Sequence, residues 1–423
     1  LLKKRRKLKK SLLADGSQRM EKRIAVLGGS TTNDIISMLE LFLLNCGIQP
    51  AFYQSEYAQY WQNAMFDNPE LESFQPDLIF IHTTSRNITE APLPLSASEQ
   101  EVRDALERQF SHFSQMWERL HEVYHCPIIQ NNFELPSTRL MGNRDAWDCH
   151  GMVWFIQELN RKFGQYAASH SDFYLHDLHY LAASYGLDAW HDDSYWYLYK
   201  YAMTLDAVPE LAYSLTRIIR SIYGKNKKVL ALDLDNTLWG VAIGQETAEA
   251  EAYTEVQEYC KAQKQLGVLL TVCSKNEPEN AKLGLSHPDS VLHEEDFVTI
   301  CANWEPKDQN LLHTAETLSL LPESFVFVDD NPAERDIVSA QIPGIAVPAF
   351  DSPTDCIRVL DHAGYFETTT FSAADANRSE MYRANAQRAQ MQQTYANYTD
   401  YLLGLDMHAE IRDFDPVALP RIV

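Results

Sequence analysis

The 423-residue chain has no apolar run long enough to cross a membrane. Its longest, Ile35 to Ile48, is interrupted by Glu40. No apolar h-region follows the opening basic cluster, so no secretory signal is expected. No cysteine pair has the spacing of zinc ligands. The seven cysteines (Cys46, Cys126, Cys149, Cys260, Cys273, Cys301 and Cys356) are odd in number and read as free thiols in a reducing compartment, with the cytoplasm as the default. There is no internal repeat and no low-complexity tract. Positive charge is scarce: 36 basic side chains face 59 acidic ones, a formal net charge of −23. Seven of the basic residues lie in the first ten, LLKKRRKLKK, leaving 29 basic against 59 acidic for the rest. A body that acidic repels nucleic acid and anionic membrane, so neither is an expected partner. An anionic substrate must instead meet a local positive site or a bound metal.

What is present is an ordinary globular balance, 45% hydrophobic and 22% charged, at a length that suggests two or three domains. After a basic leader (1–21), residues 22–224 alternate short apolar runs with amphipathic stretches. Ile24–Gly28, Pro50–Tyr53, Asp77–His82 and Pro127–Gln130 read as buried strands. Thr32–Cys46, Glu99–Glu122 and Asp145–Ala168 read as helices. Strand alternating with helix implies a parallel α/β sheet. The polar break GKNKK opens a second α/β unit, 225–370. Its expected strands are Val229–Leu234, Val268–Cys273, Phe297–Cys301, Phe325–Asp329 and Ile345–Val347. Its expected helices fall near Thr254–Leu266, Lys307–Leu320 and Ala333–Ala340. A long polar helix is expected over 371–405, with Tyr382, Tyr395, Tyr398 and Tyr401 spaced to seat it on the second unit. Residues 406–423, with Met407–Phe414 strand-like, read as the start of a further segment. An opening leucine and the apolar close VALPRIV suggest a piece of a longer protein.

The chemistry concentrates in the second unit. Val229-Leu-Ala-Leu-Asp-Leu-Asp-Asn-Thr-Leu-Trp-Gly240 delivers Asp233 and Asp235 to the carboxyl end of a buried strand, where open α/β sheets place ligands. One carboxylate can attack phosphorus while the other handles the leaving-group proton. Phe325-Val-Phe-Val-Asp-Asp-Asn-Pro332 is a second buried strand ending in acids, Asp329 and Asp330. Carboxylates converging from two strand ends make a hard-oxygen site suited to Mg²⁺. Thr271-Val-Cys-Ser-Lys275 brings the Ser274 hydroxyl to a strand end, and Trp304-Glu-Pro-Lys307 sets a lysine at a helix start, where it can balance phosphorane charge.

The order Asp-x-Asp-x-Thr, Ser, Lys, Asp-Asp resembles the haloacid dehalogenase (HAD) superfamily. That resemblance implies a HAD-like Rossmannoid parallel sheet with Asp233 as nucleophile and metal ligand. Asp235 is then the general acid/base, its carbonyl also on the metal. Thr237, Ser274, Lys275 and Asn276 meet substrate phosphate, Lys307 balances charge, and Asp329 or Asp330 completes the Mg²⁺ shell.

DLDNTLWG, CSKNEP, WEPK and VDDNPAER together resemble the FkbH-like subgroup of polyketide biosynthesis, and the basic leader and WHDDSYWY (Trp190–Tyr197) extend the likeness. The subgroup implies removal of phosphate from 1,3-bisphosphoglycerate and loading of glycerate as a thioester on the phosphopantetheine arm of an acyl carrier protein, within a larger polyketide synthase chain. It also draws attention to Cys273. Beside a metal and Lys307 its thiol is expected to have a lowered pKa and to relay the acyl group, although a buried strand-end cysteine is equally an ordinary core residue. Trp239 is a candidate lid over the site.

In the leading domain, Ala25-Val-Leu-Gly-Gly-Ser-Thr31, the segment ending HTTSRN, and Asp188-Ala-Trp-His191 resemble an SGNH hydrolase in their order, with Ser30, Asn87, Asp188 and His191 as site residues. Gly29 replaces the acid expected after the first glycine, and Asn87 lacks its Gly-x-Asn-Asp setting. A degenerate domain that docks a carrier or shapes a rim is therefore expected, with Ser30 equally able to cap the next helix. Leu8, Leu12 and Leu13 can form the apolar side of a short leader helix with solvated charges opposite, or the leader can dock an acidic carrier. Two other functions compete with glyceryl transfer: a plain phosphomonoesterase using the same Asp233 chemistry, and a non-catalytic carrier-docking module.

Overall fold

The computed structural model describes residues 1–240 and 248–394. The described residues divide into two compact units, Leu1–Lys225 with Glu367–Thr370, and a second unit that holds Asn226–Phe366 and 371–394.

The first unit is built on five parallel strands: β1 (Met20–Gly28), β2 (Ile48–Gln54), β3 (Leu78–His82), β4 (Ile128–Asn131) and β5 (Phe173–His176), in the order β2-β1-β3-β4-β5. All five residues of β3 are buried, because helices cover both faces of a parallel sheet. Ile24, Val26 and Phe80 pack on one side with residues of the helices Asn33–Asn45 and Val208–Ile222. Ala25, Leu27 and Ile81 pack on the other with those of Glu99–Tyr124 and Met152–Ser169. The helix Glu99–Tyr124 starts on a reciprocal cap between Ser98 and Glu101. The leader forms the helix Arg5–Leu13, seated on this core through Leu2, Leu8 and Leu12 and paired to its neighbour by Arg5–Asp34 (3.3 Å) and Lys9–Glu40 (2.7 Å). Lys3, Lys4, Arg6, Lys7 and Lys10 are exposed, the solvated-face arrangement. Glu367–Thr370 joins this unit through Ser221, whose hydroxyl donates to the Glu367 carbonyl at 2.9 Å.

The second unit carries β6 (Val229–Leu232), β7 (Leu269–Ser274), β8 (Phe297–Ala302) and β9 (Phe325–Val328), parallel, in the order β8-β7-β6-β9. β6 is central, so its carboxyl end faces the carboxyl ends of both β7 and β9. Tyr382 and Ala386 of the helix Arg378–Thr394 pack with Val229, Phe325 and Phe327.

Several expected elements come out differently. β5 was not foreseen: it is a four-residue edge strand buried only at its two ends, too short to show a period. The helix expected from Asp145 begins at Met152. Asp145 is instead buried before it, its carboxylate accepting from the backbone N–H of Val153 at 2.8 Å and of Met141 at 3.3 Å. Gly151 permits this, since a Cβ there would lie 2.1 Å from the Asp145 carbonyl oxygen. Ile345–Val347 contributes a single bridge, Val326 to Ala346, rather than a fifth strand. The long helix after 371 divides into Ala373–Ala376 and Arg378–Thr394. Tyr395, Tyr398, Tyr401 and Met407–Phe414 lie outside the described residues.

Candidate active site

β6 ends at Leu232, and the next residue is the first acid of the site. The Asp233 N–H donates to the Val328 carbonyl at 2.9 Å, which ties the end of β6 to the end of β9. The chain then turns tightly. The Leu234 carbonyl accepts from the N–H groups of Thr237, Leu238 and Trp239, and the Asn236 N–H donates to the Trp239 carbonyl. Asn236 takes the left-handed conformation (φ 55°) that this turn needs, which asparagine tolerates better than most residues.

One carboxylate oxygen from each of Asp233, Asp329 and Asp330 lies within 4.8 Å of the other two, with Asp233 and Asp329 buried and Asp330 half-buried. The Lys307 ammonium, also buried, reaches Asp233 at 3.0 Å and Asp329 at 2.5 Å. Burial works against the lysine charge, but Asp233 and Asp329 outweigh it and hold Lys307 above the ordinary lysine value. Burial and the neighbouring Asp233 charge raise Asp329, against the pull of Lys307, and the same two causes raise Asp330. Three acids facing one cation leave an excess of negative charge in a site with little water. A second cation relieves that excess, and the all-oxygen donor set fits a hard divalent ion.

The turn bearing Asp329 and Asp330 is braced from below. The Arg335 guanidinium donates to the carbonyls of Asp329 (2.8 Å) and Asp330 (2.9 Å), and the Asn331 N–H donates to the Asp329 carboxylate at 2.9 Å. Arg335 has no expected role in the sequence reading. Its signal is its place in VDDNPAER, on the first turn of the helix that follows the acids.

Other residues expected to meet phosphate have partners within the protein. The Thr237 hydroxyl accepts from the Asp330 N–H at 3.3 Å, so it ties the two acidic turns together. The Lys275 ammonium pairs with Glu334 at 2.6 Å. Asn276 donates to the Asp235 carboxylate at 3.0 Å. Ser274 is buried at the end of β7. Trp239 is no lid: it is buried, and its indole N–H donates to the other Asp235 oxygen at 3.0 Å.

The lowered thiol pKa expected for Cys273 is also corrected. The side chain is 1% exposed, packed with Val229, Ala231 and Phe327, and its thiol donates to the Lys307 carbonyl at 3.5 Å. Burial pushes the thiol up, and the nearby Lys307 charge only partly opposes it.

In the first unit, Ser30 is buried after β1 and its hydroxyl has no hydrogen-bond partner. His191 donates through Nε2 to the Leu135 carbonyl at 2.9 Å, and Asp188 is exposed. Asn87 donates to the Gly29 carbonyl at 3.2 Å. Gly29 allows that approach, because a Cβ there would sit 2.4 Å from the Asn87 side-chain oxygen. No hydrogen bond joins Ser30 to His191 among the described residues, so the hydrolase relay is not assembled. Glu134 is a further titratable group of this unit. It is buried, accepts from the backbone N–H and hydroxyl of Ser85, and is pushed up to about 7 by burial. A single glutamate after an apolar strand gives no sequence signal of this. A second group of ligand-type side chains, Asp148, Cys149 and His150, lies together in the first unit. Both ring nitrogens of His150 are already used, on Asp148 (2.7 Å) and the Ala97 carbonyl (2.9 Å).

Residues 23–220 match the family model described as FkbH, N-terminal domain. No curated protein sequence matches the chain. Among solved structures, the N-terminal part of the protein BF1531 from Bacteroides fragilis, described as containing a phosphatase domain and complexed with Mg, is 27% identical. The likeness covers 87% of this chain and 99% of that one, with a TM-score of 0.78. The gut microbial diltiazem-metabolizing enzyme BT4096 shares 12% identity over 52% of each chain at a TM-score of 0.32, too low to bear on the fold. No helix among the described residues is long and apolar enough to cross a membrane.

Proposed function

We propose, for a chain whose residues 23–220 belong to the FkbH N-terminal domain family, that the second unit is a HAD-type, Mg²⁺-dependent phosphatase that also loads a glyceryl group onto an acyl carrier protein. The observation that carries the phosphatase chemistry is the convergence of Asp233, Asp329 and Asp330 on the buried Lys307. The Mg²⁺ in the Bacteroides fragilis structure supports the same ion here. Asp233 and Asp329 or Asp330 would hold it with the Asp235 carbonyl, and it would supply Lewis-acid charge to the phosphoryl oxygens.

The chain's own residues divide the remaining work. An Asp233 carboxylate oxygen bonds to phosphorus as the bond from phosphorus to the leaving oxygen breaks, and Asp235 gives that oxygen its proton. Water then bonds to phosphorus, Asp235 takes a proton from it, and the bond between phosphorus and the Asp233 oxygen breaks, freeing the Asp233 carboxylate and inorganic phosphate. Lys307 balances the oxyanion charge from within the site.

For the glyceryl branch, the acyl donor is 1,3-bisphosphoglycerate and the final acceptor is the carrier's phosphopantetheine thiol. Cys273, 1% exposed and packed into the core, gives the acyl carbon no access to its thiol, so the transfer is direct: the carrier sulfur–acyl bond forms, the acyl–phosphate bond breaks, and the displaced phosphate takes the thiol proton. Direct transfer keeps the acyl activation that hydrolysis would lose. The first unit, of SGNH-like plan, serves in this scheme as a non-hydrolytic domain, because no hydrogen bond joins the Ser30 hydroxyl to a base among the described residues. The setting is polyketide assembly.

The deciding experiment is intact-mass analysis of an acyl carrier protein incubated with this protein, 1,3-bisphosphoglycerate and Mg²⁺, alongside phosphate release. A glyceryl adduct on the carrier with phosphate release supports the full scheme, and phosphate release without carrier loading reduces it to a phosphomonoesterase. Asp233→Asn should abolish phosphate release, since an amide is a poor nucleophile. Release undiminished in that variant would refute Asp233 as the attacking group.

A further inference from the structure

Asp235 differs from the other acids of the site in being exposed. A solvent-facing aspartate on a turn ordinarily samples several rotamers, each weakly held against water. Here both carboxylate oxygens are bonded to donors from buried side chains, and the donors come from different elements. Trp239, on the same turn, donates its indole N–H to Oδ1 at 3.0 Å, and Asn276, after β7, donates its amide to Oδ2 at 3.0 Å. Trp239 and Asn276 are each only 9% exposed. Two donors on two oxygens fix the plane of the carboxylate as well as its position.

The donors are themselves fixed. The Trp239 backbone is locked by the turn, where its N–H donates to the Leu234 carbonyl and its carbonyl accepts from Asn236. The carbonyl of the preceding residue, Leu238, accepts from the buried Gln257 amide at 2.8 Å. The indole ring lies against Gly284 in the helix Pro278–Leu285, so closely that a Cβ at 284 would sit 2.6 Å from ring carbon Cζ2 and 2.7 Å from Cη2. Gly284 has no positive φ to explain it, so the space for the ring is what a larger residue would take. Asn276 is oriented by the Glu277 N–H, which donates to its side-chain oxygen at 2.9 Å and leaves the amide facing Asp235.

We infer that Trp239, seated on Gly284, and Asn276 are positioning residues that aim the Asp235 carboxyl at the leaving group, an inference that rests on the phosphotransfer chemistry proposed above. Neither side chain touches the phosphoryl group in this role. Losing one should therefore impair proton delivery and leave binding and nucleophilic attack nearly intact. Proton delivery matters most where the departing oxygen is a poor leaving group, as in an alkyl phosphate, and least for an aryl phosphate, whose phenolate leaves without help.

The test compares the single-turnover rate of leaving-group release, the half-reaction in which Asp235 acts as acid, from 3-phosphoglycerate and para-nitrophenyl phosphate by wild type, Trp239→Phe, Asn276→Ala and Gly284→Ala, each checked for a native melt. Trp239→Phe should slow release from 3-phosphoglycerate roughly tenfold, with KM within about twofold and release from para-nitrophenyl phosphate slowed no more than about threefold. Gly284→Ala, which displaces the ring without touching Asp235, should show the same selective loss. Asn276→Ala removes the other bond and decides the matter if Trp239→Phe does not fold. Equal losses on both substrates, or a rise in KM at constant kcat, would overturn the positioning role. Wild type that turns over neither substrate would instead overturn the phosphotransfer reading, and the inference with it.

Discussion

Removing the buried Lys307 cation of the site should make the second unit depend on metal for its stability. Lys307→Met keeps most of the volume and the aliphatic stem but deletes an ammonium that reaches Asp233 at 3.0 Å and Asp329 at 2.5 Å. Asp329 is fully buried and Asp233 only 6% exposed, so two carboxylates would face each other with little water to screen them. Breaking a buried charge pair by removing one partner costs about 3–5 kcal/mol. For a unit of roughly 150–250 residues each kcal/mol moves Tm by about 2–4 °C, so a fall of about 10 °C is expected in EDTA. A divalent ion bound by the same acids offsets that loss through mass action, by about 2.7 kcal/mol at a hundred times its Kd. Most of the deficit should therefore return in excess Mg²⁺. The assay is differential scanning fluorimetry of both proteins in EDTA and across a Mg²⁺ titration. A variant that loses equally with and without Mg²⁺ would show that the three acids do not share an ion. Unchanged Tm in EDTA would show that the lysine does not neutralise them.

Three further outcomes are expected. Glu134 is pushed up to about 7 from an ordinary value of 4.5, so its stabilising protonated form is complete below pH 4.5 and is lost as pH rises through 7. That is worth roughly 3 kcal/mol to the first unit, and Glu134→Gln should melt above wild type at pH 8 but not at pH 4.5. An equal difference at both pH values would rule out the linkage. Cys273→Ala should keep both phosphate release and carrier loading, because its thiol is packed into the core, and loss of loading alone in a folded variant would restore Cys273 as an acyl relay. Ser30→Ala should leave glyceryl loading within about twofold, because its hydroxyl has no base to activate it. Abolished loading in a folded variant would restore the first unit to catalysis.

The sequence alone determined the parts of this protein that depend on local pattern. Apolar runs such as Val229–Leu232 and Phe325–Val328 can only be buried strands, and acids at their ends must emerge together at one edge of a parallel sheet. The placing of Asp233, Asp329 and Asp330 was legible for that reason, as was Lys307 at a helix start. Only the tertiary structure decided what each side chain spends its bonds on. Trp239 reads from sequence as a ring free to swing over the site, and it is instead a buried donor because Gly284, 45 positions along the chain, leaves it a seat. Cys273 reads from sequence as an activated thiol beside a metal and Lys307. Alternation along β7 turns it the other way, into the packing of Val229 and Phe327, where burial raises its pKa. Lys275 and Glu334 are far apart in sequence, so no local pattern announces that they neutralise each other. Proximity in sequence sets which residues reach an edge of the sheet. Packing between elements sets which of them are free to act there.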